Sequence, residues 1–410
     1  MQITVLTAEA KAGEIEAQLQ LADLYENGFG VPQDRGQAAF WYHRAAELGS
    51  VKAQSRLGQM YISGTGVPED YAQAVYWLQQ AAGKDDAAAQ ANLAWCYQHG
   101  LSVKQDYRQA FEWYGKSARL GHAGARYNLA YMYANGIGTA RNEGLAVEWY
   151  RKASEQGHMK AQLNVGLMLA TGMGTEVDLK EAAMWYEKAA HQGYDKAQYN
   201  LALMYAGGHG VPQDDKAAFK WHQSAARQGY ARAQFNMGLF YVYALGVEQD
   251  YEAAAKYYRL AAGQGYIKGN YQLAKLYANR SWDGANEIES ARHFQIAADA
   301  GYAKAQYHLG HLYVKGEGVQ RDEATACKWY EKAARQGLLK AQYMMGIHYA
   351  KGLGVRKDYV SSYAWLLLAS EKGDQAMVRA LQEVGKKLNG SQMEDARTLA
   401  SGIRKDYTQA

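Results

Sequence analysis

The sequence predicts an all-α fold: a solenoid of about ten helix-turn-helix repeats of 36 residues, with a cap at each end. Three observations predict it. Ala17-Gln18 recurs as Ala53-Gln54, Ala89-Gln90, Ala161-Gln162, Ala197-Gln198, Ala233-Gln234, Ala305-Gln306 and Ala341-Gln342, always at multiples of 36 residues and without insertion or deletion from Ala17 to Ala376. A fixed period of this length marks a repeat architecture rather than separate globular domains. The chain holds 43 glycines but only 3 prolines, as regularly spaced helix stops require. Aromatic pairs followed by paired alanines recur in the same register, so large rings can interdigitate with small side chains between stacked helices.

The first helix of each repeat is expected to be short, as over Ala197 to Ala206, with Leu201, Ala202 and Tyr205 forming a packing pattern that recurs at Leu57, Gly58 and Tyr61, at Leu129, Ala130 and Tyr133, and at Leu309, Gly310 and Tyr313. The small residue marks where a neighbouring helix comes close. A Gly-x-Gly loop follows, as at Gly28 and Gly30, Gly64 and Gly66, or Gly352 and Gly354, because glycine accepts the positive φ of a helix C-terminus. Asp34, Asp70, Asp106, Asn142, Asp178, Asp214, Asp250, Asn286, Asp322 and Asp358 then stand where N-caps of the second helix belong. Gln37, Gln73, Gln109 and Glu181, three residues on, complete the pattern of capping boxes. The second helix carries the pairs Trp41-Tyr42, Trp149-Tyr150, Trp185-Tyr186 and Trp329-Tyr330, then Ala-Ala as at Ala45-Ala46, and ends at a glycine such as Gly49 or Gly193.

Such a hairpin cannot bury both faces alone, so its stability comes largely from its neighbours in the stack. Residues 17–376 are expected to form the ten repeats. Residues 1–16 match only the latter part of a second helix, with Gly13 in register with Gly49, and are expected to be a partial repeat or cap. Residues 377–410 are expected to be capping helices: one ending near Asn389-Gly390, and one opened by a capping box at Ser391-x-x-Glu394.

Charge is nearly balanced, 45 basic against 41 acidic residues, and spread along the chain, so no basic stripe suggests nucleic acid. No run approaches the eighteen or so apolar residues of a membrane span. Cys96 and Cys327 lie six repeats apart, too far to pair within one chain. A cytoplasmic protein, a monomer, is expected, or a periplasmic or secreted one if a leader has been removed.

The combination Ala-Gln-x-x-Leu-Gly-x-x-Tyr, Gly-x-Gly-Val, Asp, Ala-x-x-Trp-Tyr and Lys-Ala-Ala-x-x-Gly, nearly complete from Ala305 to Lys340, resembles the Sel-1-like repeat family. That family is similar to tetratricopeptide repeats, whose helix pairs stack into a superhelix, here expected to be right-handed. The resemblance implies an adaptor or scaffold. A cysteine-rich branch has been linked to binding or hydrolysing β-lactams; this chain lacks those cysteine pairs.

Counting from the Ala of Ala-Gln, about 100° per residue leaves the third, fourth, seventh, tenth and eleventh positions of the first helix opposite the packing signature. In tetratricopeptide proteins the equivalent positions line the concave surface. Here they read Tyr127, Asn128 and Tyr131; Leu163, Asn164 and Leu167; Tyr199, Asn200 and Leu203; then Phe235, Asn236, Leu239 and Tyr243, with Asn92, Trp95 and His99 upstream. Amides can meet a peptide backbone, and the flanking groups offer apolar area. The alternative is that Tyr-Asn is a repeat consensus packing on the next repeat. The seventh position favours binding, since it varies from Asp23 through Trp95, Tyr131, Leu167, Leu203 and Leu239 to Lys275 and His311. The eighth repeat departs from the pattern, with Trp282 in its loop and His293 in place of the second-helix Trp. Trp282 is either a partner anchor or a ring packed back locally.

No P-loop, dinucleotide fingerprint, His-Glu-x-x-His or Gly-x-Ser-x-Gly motif is present, and the Gly-x-Gly pairs follow helices rather than strands. His308, His311 and His348 lack a completing carboxylate or thiol, so neither a metal nor another cofactor is expected. The expected function is non-enzymatic binding of a protein or peptide. The alternatives are an inhibitor or immunity protein that blocks a single toxin or enzyme, and a β-lactam-directed activity.

Overall fold

A computed structural model describes residues 2–408; residues 1, 409 and 410, which end the two segments expected as caps, lie outside it. Every regular element among the described residues is helical. The chain forms two compact units, residues 1–213 and 214–410. Within each, hairpins pack in chain order, each helix against the one before it and the one after it.

The first helices are longer than expected. That of the sixth repeat runs Asp195–Gly207 rather than 197–206, because the turn after the preceding second helix ends at Tyr194 and the helix opens two residues before the Ala-Gln signature. Most helices in the stack have 13 residues, as in Ile15–Asn27 and Arg35–Glu47.

The signature glutamine proves to be a clasp. The Gln54 amide donates from Nε2 to the carbonyl of Ala46, eight residues earlier, at 3.1 Å, and Gln90, Gln162, Gln234 and Gln306 repeat the bond to Ala82, Ser154, Ala226 and Ala298. Each acceptor lies in the last turn of the preceding second helix, where carbonyls have no partner within the helix. The glutamines are buried, so the bond forms where water cannot replace it. Arg126 takes over in the fourth repeat, donating to Ala118 at 3.1 Å. A second bond extends the clasp by one repeat: Gln192, Gln264 and Gln336 donate to the Oε1 atoms of Gln162, Gln234 and Gln306 at 2.7–2.8 Å, thirty residues back. Where that donor position holds Leu48 or Leu120, the buried Oε1 of Gln18 or Gln90 has no partner.

The two loop glycines act differently. Gly64 sits at φ +64° and its N–H closes on the Met60 carbonyl as a helix C-cap. Gly138, at φ +68°, lies against the first turn of the preceding repeat's second helix, so that a Cβ there would stand 2.1 Å from the Tyr107 carbonyl oxygen. The loop is therefore a point of contact between repeats as well as a helix stop. The small residue of the packing pattern follows the expectation. A Cβ on Gly58 would meet Leu78, and one on Gly166 would meet Tyr186, each on the second helix of the same repeat.

All ten Asp and Asn caps accept backbone N–H groups at the start of the second helix, Asp34 from Gln37 at 2.9 Å and Asp178 from Glu181 at 2.8 Å among them. The reciprocal half of the expected capping box is not formed. The cap N–H groups of Asp34, Asp70, Asp106 and Asp178 donate instead to the carbonyls of Tyr25, Tyr61, Tyr97 and Leu169, which ties the loop to its own first helix. Glu181 is thereby freed to pair with Arg151 of the preceding repeat.

At the C-terminal end, helices Gln375–Gly385 and Gly390–Thr408 follow the last repeat. The capping box lies two residues earlier than expected, at Asn389 and Gln392, which exchange both bonds at 2.9–3.0 Å, and not at Ser391 and Glu394. The last helix buries Ala396, Ala400 and Ile403 against Tyr330 and Trp365. At the other end, helix Gln2–Lys11 packs on Ile15–Asn27 and buries Ala10.

The two kinds of glycine can be told apart. Gly157 has φ +83° with nothing within 4 Å of a Cβ, so Gly157→Ala is expected to cost about 1 kcal/mol from backbone conformation alone. Gly138→Ala is expected to cost a further 1–3 kcal/mol, roughly the scale of overpacking. Urea denaturation of both variants checks the difference; equal losses would remove the loop from the contact between repeats.

Candidate protein-binding surface

The face opposite the packing signature is built differently at each of its positions. The seventh position is never buried, in any of the ten repeats. In the first unit it carries Trp95, Tyr131, Leu167 and Leu203 on successive repeats. Tyr131 and Leu203 are 43% and 40% exposed, and Trp95 and Leu167 are half-buried. The Trp95 ring leans on His99, 4.8 Å between centroids. In the second unit Leu239 is half-buried against a cluster holding Tyr258 and Leu273, while Tyr243 is exposed.

The third position belongs to the packing between repeats. Tyr127 is half-buried and stacks on His158 of the next first-helix turn at 4.7 Å. Phe235 meets Tyr266 at 5.2 Å and Tyr258 at 5.9 Å. Tyr199 is half-buried, and Leu163, expected on the open face, is buried. The fourth-position amides are also engaged in the stack. Asn128 stands by the phenol of Tyr114, and Asn164 by those of Tyr150 and Tyr127, where each amide offsets part of the rise that burial gives the phenol's pKa. The amide of Asn236 lies 3.2 Å from Nε2 of His222. Asn92 and Asn200 are likewise half-buried. Asn128, Asn164 and Asn236 each belong to the repeat after their partner's, so the amide that sequence offered to a peptide joins one repeat to the next. Trp282 is half-buried, its ring 5.4 Å from that of Tyr277 and packed on the Tyr258 cluster.

One network on this face escaped the sequence reading. In the first two repeats the Tyr42 hydroxyl donates to Asp23 and, at 2.9 Å, to Glu26; Arg56 pairs with Glu26, and Lys52 with Asp23 at 3.0 Å. Burial, then the two carboxylates, raise the Tyr42 phenol above its ordinary pKa. The charged residues at the seventh and tenth positions were its only sequence signal. The network bounds the apolar run of the third to sixth repeats with internally neutralised charge.

The histidines are placed as packing groups. His308 stacks on Phe294 at 5.2 Å, and His348 is buried with Nδ1 3.0 Å from the Leu353 carbonyl and 3.2 Å from Cys327 Sγ. Among the described residues no group of three His, Cys, Asp or Glu side chains is disposed to hold a metal ion, and no helix is long and apolar enough to cross a membrane. Cys96 and Cys327 are free and buried.

The Sel1 repeat model matches residues 15–50, 51–86, 87–122, 123–158, 160–194, 195–230, 231–266, 267–302, 303–338 and 339–374. The chain belongs to the Sel1 repeat family. Sel1 repeat proteins generally mediate protein–protein interaction and are typically non-catalytic. The family frame opens two residues before Ala17, where the first helix opens. Among solved structures, c5321 of uropathogenic Escherichia coli, a protective antigen displaying an SLR fold, is 34% identical over 99% of this chain and 95% of its own, with a TM-score of 0.67. A Sel1 repeat protein from Oxalobacter formigenes is 31% identical over 60% of this chain and 96% of its own, with a TM-score of 0.53. Immunity protein Pa5087 from Pseudomonas aeruginosa is 25% identical over 52% of this chain and 81% of its own, with a TM-score of 0.33, too loose a likeness to inform function. No curated protein is significantly similar in sequence.

Two substitutions separate stacking residues of this Sel1 repeat protein from free ones. Asn164→Ala removes the half-buried amide beside the buried Tyr150 phenol and is expected to cost about 1–3 kcal/mol, whereas Leu203→Asp is expected to change stability by less than about 0.5 kcal/mol. Chemical denaturation of both measures the contrast. His222 gives a pH dependence. It stands where other repeats carry Tyr, and burial pushes its imidazole down to about 4. Unfolding restores an ordinary pKa near 6.5, so the stabilisation is full above pH 6.5 and is lost as pH falls toward 4, by about 1.4 kcal/mol per pH unit. His222→Tyr is expected to reduce the loss between pH 7 and pH 5 by that contribution, leaving the part due to His308 and the other buried histidines, when urea midpoints are compared.

Proposed function

We propose that this Sel1 repeat protein is a non-catalytic adaptor or scaffold. It holds a segment of another protein on the open face of its first helices, with Trp95, Tyr131, Leu167 and Leu203 as the centre of the contact in the first unit. The observation that carries this reading is the behaviour of the seventh position. It stays accessible in every repeat, has no fixed residue type, and is apolar on five successive repeats, four of them in the first unit. A contiguous apolar run on an otherwise charged surface is the usual mark of an interaction site. Trp and Tyr at its head are the side chains that most often dominate such contacts. The third and fourth positions support the surface from below by fixing one repeat to the next.

The test is a variant with Tyr131, Leu167 and Leu203 all changed to Asp. Partners captured by the wild-type chain are identified by mass spectrometry, and the dissociation constant of each is then measured against both proteins. The variant is expected to keep its helical circular dichroism and to bind at least about tenfold more weakly, the effect of 1.4 kcal/mol. Unchanged affinity in a folded variant would sink the assignment. A single very tight partner with enzymatic or toxic activity, inhibited on binding, would replace the adaptor with an inhibitor acting through the same face.

A further inference from the structure

The second unit holds a concavity of about 460 Å³ on its first-helix side, where the eighth, ninth and tenth repeats meet. Its walls are Tyr271, Lys304, Tyr307, His308 and Lys340, and its floor is the turn at residues 337–339. No carboxylate lines it. Lys304 and Lys340 are exposed, and neither is in an ion pair among the described residues. The rings are held firmly. Tyr271 packs on Tyr302 at 5.1 Å and on Phe294 at 5.8 Å, and Tyr307 packs on Tyr330 at 5.8 Å. His308, between these rings, is pushed down to about 4, first by burial and then by the charges of Lys275, His311 and Lys340. With Lys304 and Lys340 on its walls and no carboxylate among its lining residues, the concavity is a cationic one.

The two lysines belong to a column. Arg232, Lys268, Lys304 and Lys340 occupy the same place, the second residue of the first helix, in four successive repeats of this unit. In the first unit Lys160 and Lys196 hold the same place in the last two repeats, whereas the earlier ones hold Glu16, then Lys52, already paired with Asp23, then Ala88 and Gly124. The helices of the column in this unit are preceded by Tyr230, Tyr266, Tyr302 and Leu338, none of which caps with its side chain, as is also so at Glu14 and Tyr194 in the first unit but not at Ser50, Asp86, His122 and His158. The positive helix ends therefore add to the field of the lysines without an internal acceptor to offset them.

We propose that this edge of the second unit binds an acidic peptide segment, its carboxylates meeting Lys304 and Lys340 and an apolar side chain entering between Tyr271 and Tyr307. The segment belongs to the protein partner, so the inference rests on the adaptor reading and deepens it. Charge complementarity selects the sign of the ligand, and spacing selects its class. Packed helices lie about 8–10 Å apart and a second helix stands between one first helix and the next, so an extended chain, advancing about 3.3–3.6 Å per residue, meets successive lysines with acidic residues at least about three apart. Nucleic acid places a charge on each strand every 3.4 Å or so, far denser than one cation per repeat. The concavity also lies within the range of about 300–1,000 Å³ usual for small ligand pockets, suited to side chains rather than to a flat domain surface.

Fluorescence anisotropy on the full chain tests this with three labelled probes: a nine-residue peptide with Glu at every third position and Leu or Phe between, its Gln counterpart, and an oligothymidylate of equal length. The acidic peptide is expected to bind, the Gln peptide at least tenfold more weakly. The double variant Lys304→Glu, Lys340→Glu is expected to lose at least tenfold for the acidic peptide. The double variant Lys216→Glu, Lys256→Glu, with the same charge change on the second helices of this unit, is expected to bind like the wild type. No binding of the acidic peptide, equal binding of the Gln peptide, equal loss in the two double variants, or tighter lysine-dependent binding of the oligothymidylate would each overturn the proposal. A captured partner that needs Tyr131, Leu167 and Leu203 but not the lysines would overturn it while leaving the adaptor reading intact.

Discussion

A glutamine amide reaching back eight residues to the end of the previous helix holds this architecture together. A second helix that stops at a glycine leaves its last carbonyls facing the next repeat, and a buried carbonyl without a donor is costly. Gln54, Gln162 and their equivalents supply the donor from the first turn of the next hairpin. They thereby fix the angle at which that hairpin leaves. The further bond from Gln192 to Gln162 or from Gln264 to Gln234 joins a third helix to the pair. Apolar burial between alanines and rings gives the stack its cohesion, but that attraction has no direction. The amides supply direction, and the loop glycine sets how closely the repeats approach.

This division of labour explains which residues are free to serve recognition. The third and fourth positions of the first helix, Tyr127 and Asn128 or Phe235 and Asn236, are occupied by stacking and by contact with the preceding repeat's phenol or imidazole. The seventh position has no such duty. It accepts Asp23 within a charged network at one end of the first unit and an apolar run at the other, and neither choice disturbs the clasp beneath.

The fold was legible in the sequence because its constraints recur. The period, the Asp and Asn caps and the small residue under Leu78 or Tyr186 each follow from local chemistry repeated ten times, and the glycine stops from chemistry repeated in most of the repeats. What sequence misplaced was decided by competition between groups in space. The capping boxes lost their second half because the carbonyls of Tyr25 and Tyr61 reach the cap N–H first. The terminal box moved to Asn389 because Gln392 meets it in both directions. Leu163 turned inward although its position suggested otherwise, and helical periodicity alone cannot distinguish a residue that faces solvent from one covered by the next repeat. For the same reason the candidate site was only partly legible. The accessible seventh residues followed from the 100° rule, whereas the engagement of Asn128 and Asn164 depends on tyrosines in the preceding repeat.

The fixed separations have a consequence for how such a chain can change in length. The clasp spans eight residues, its extension thirty, and the loop glycine meets a backbone carbonyl thirty-one residues before it. A single residue inserted within such a repeat puts at least one of these pairings out of step wherever it falls. Duplication of a whole 36-residue block preserves every one of them, so a gene of this kind grows or shrinks in complete units.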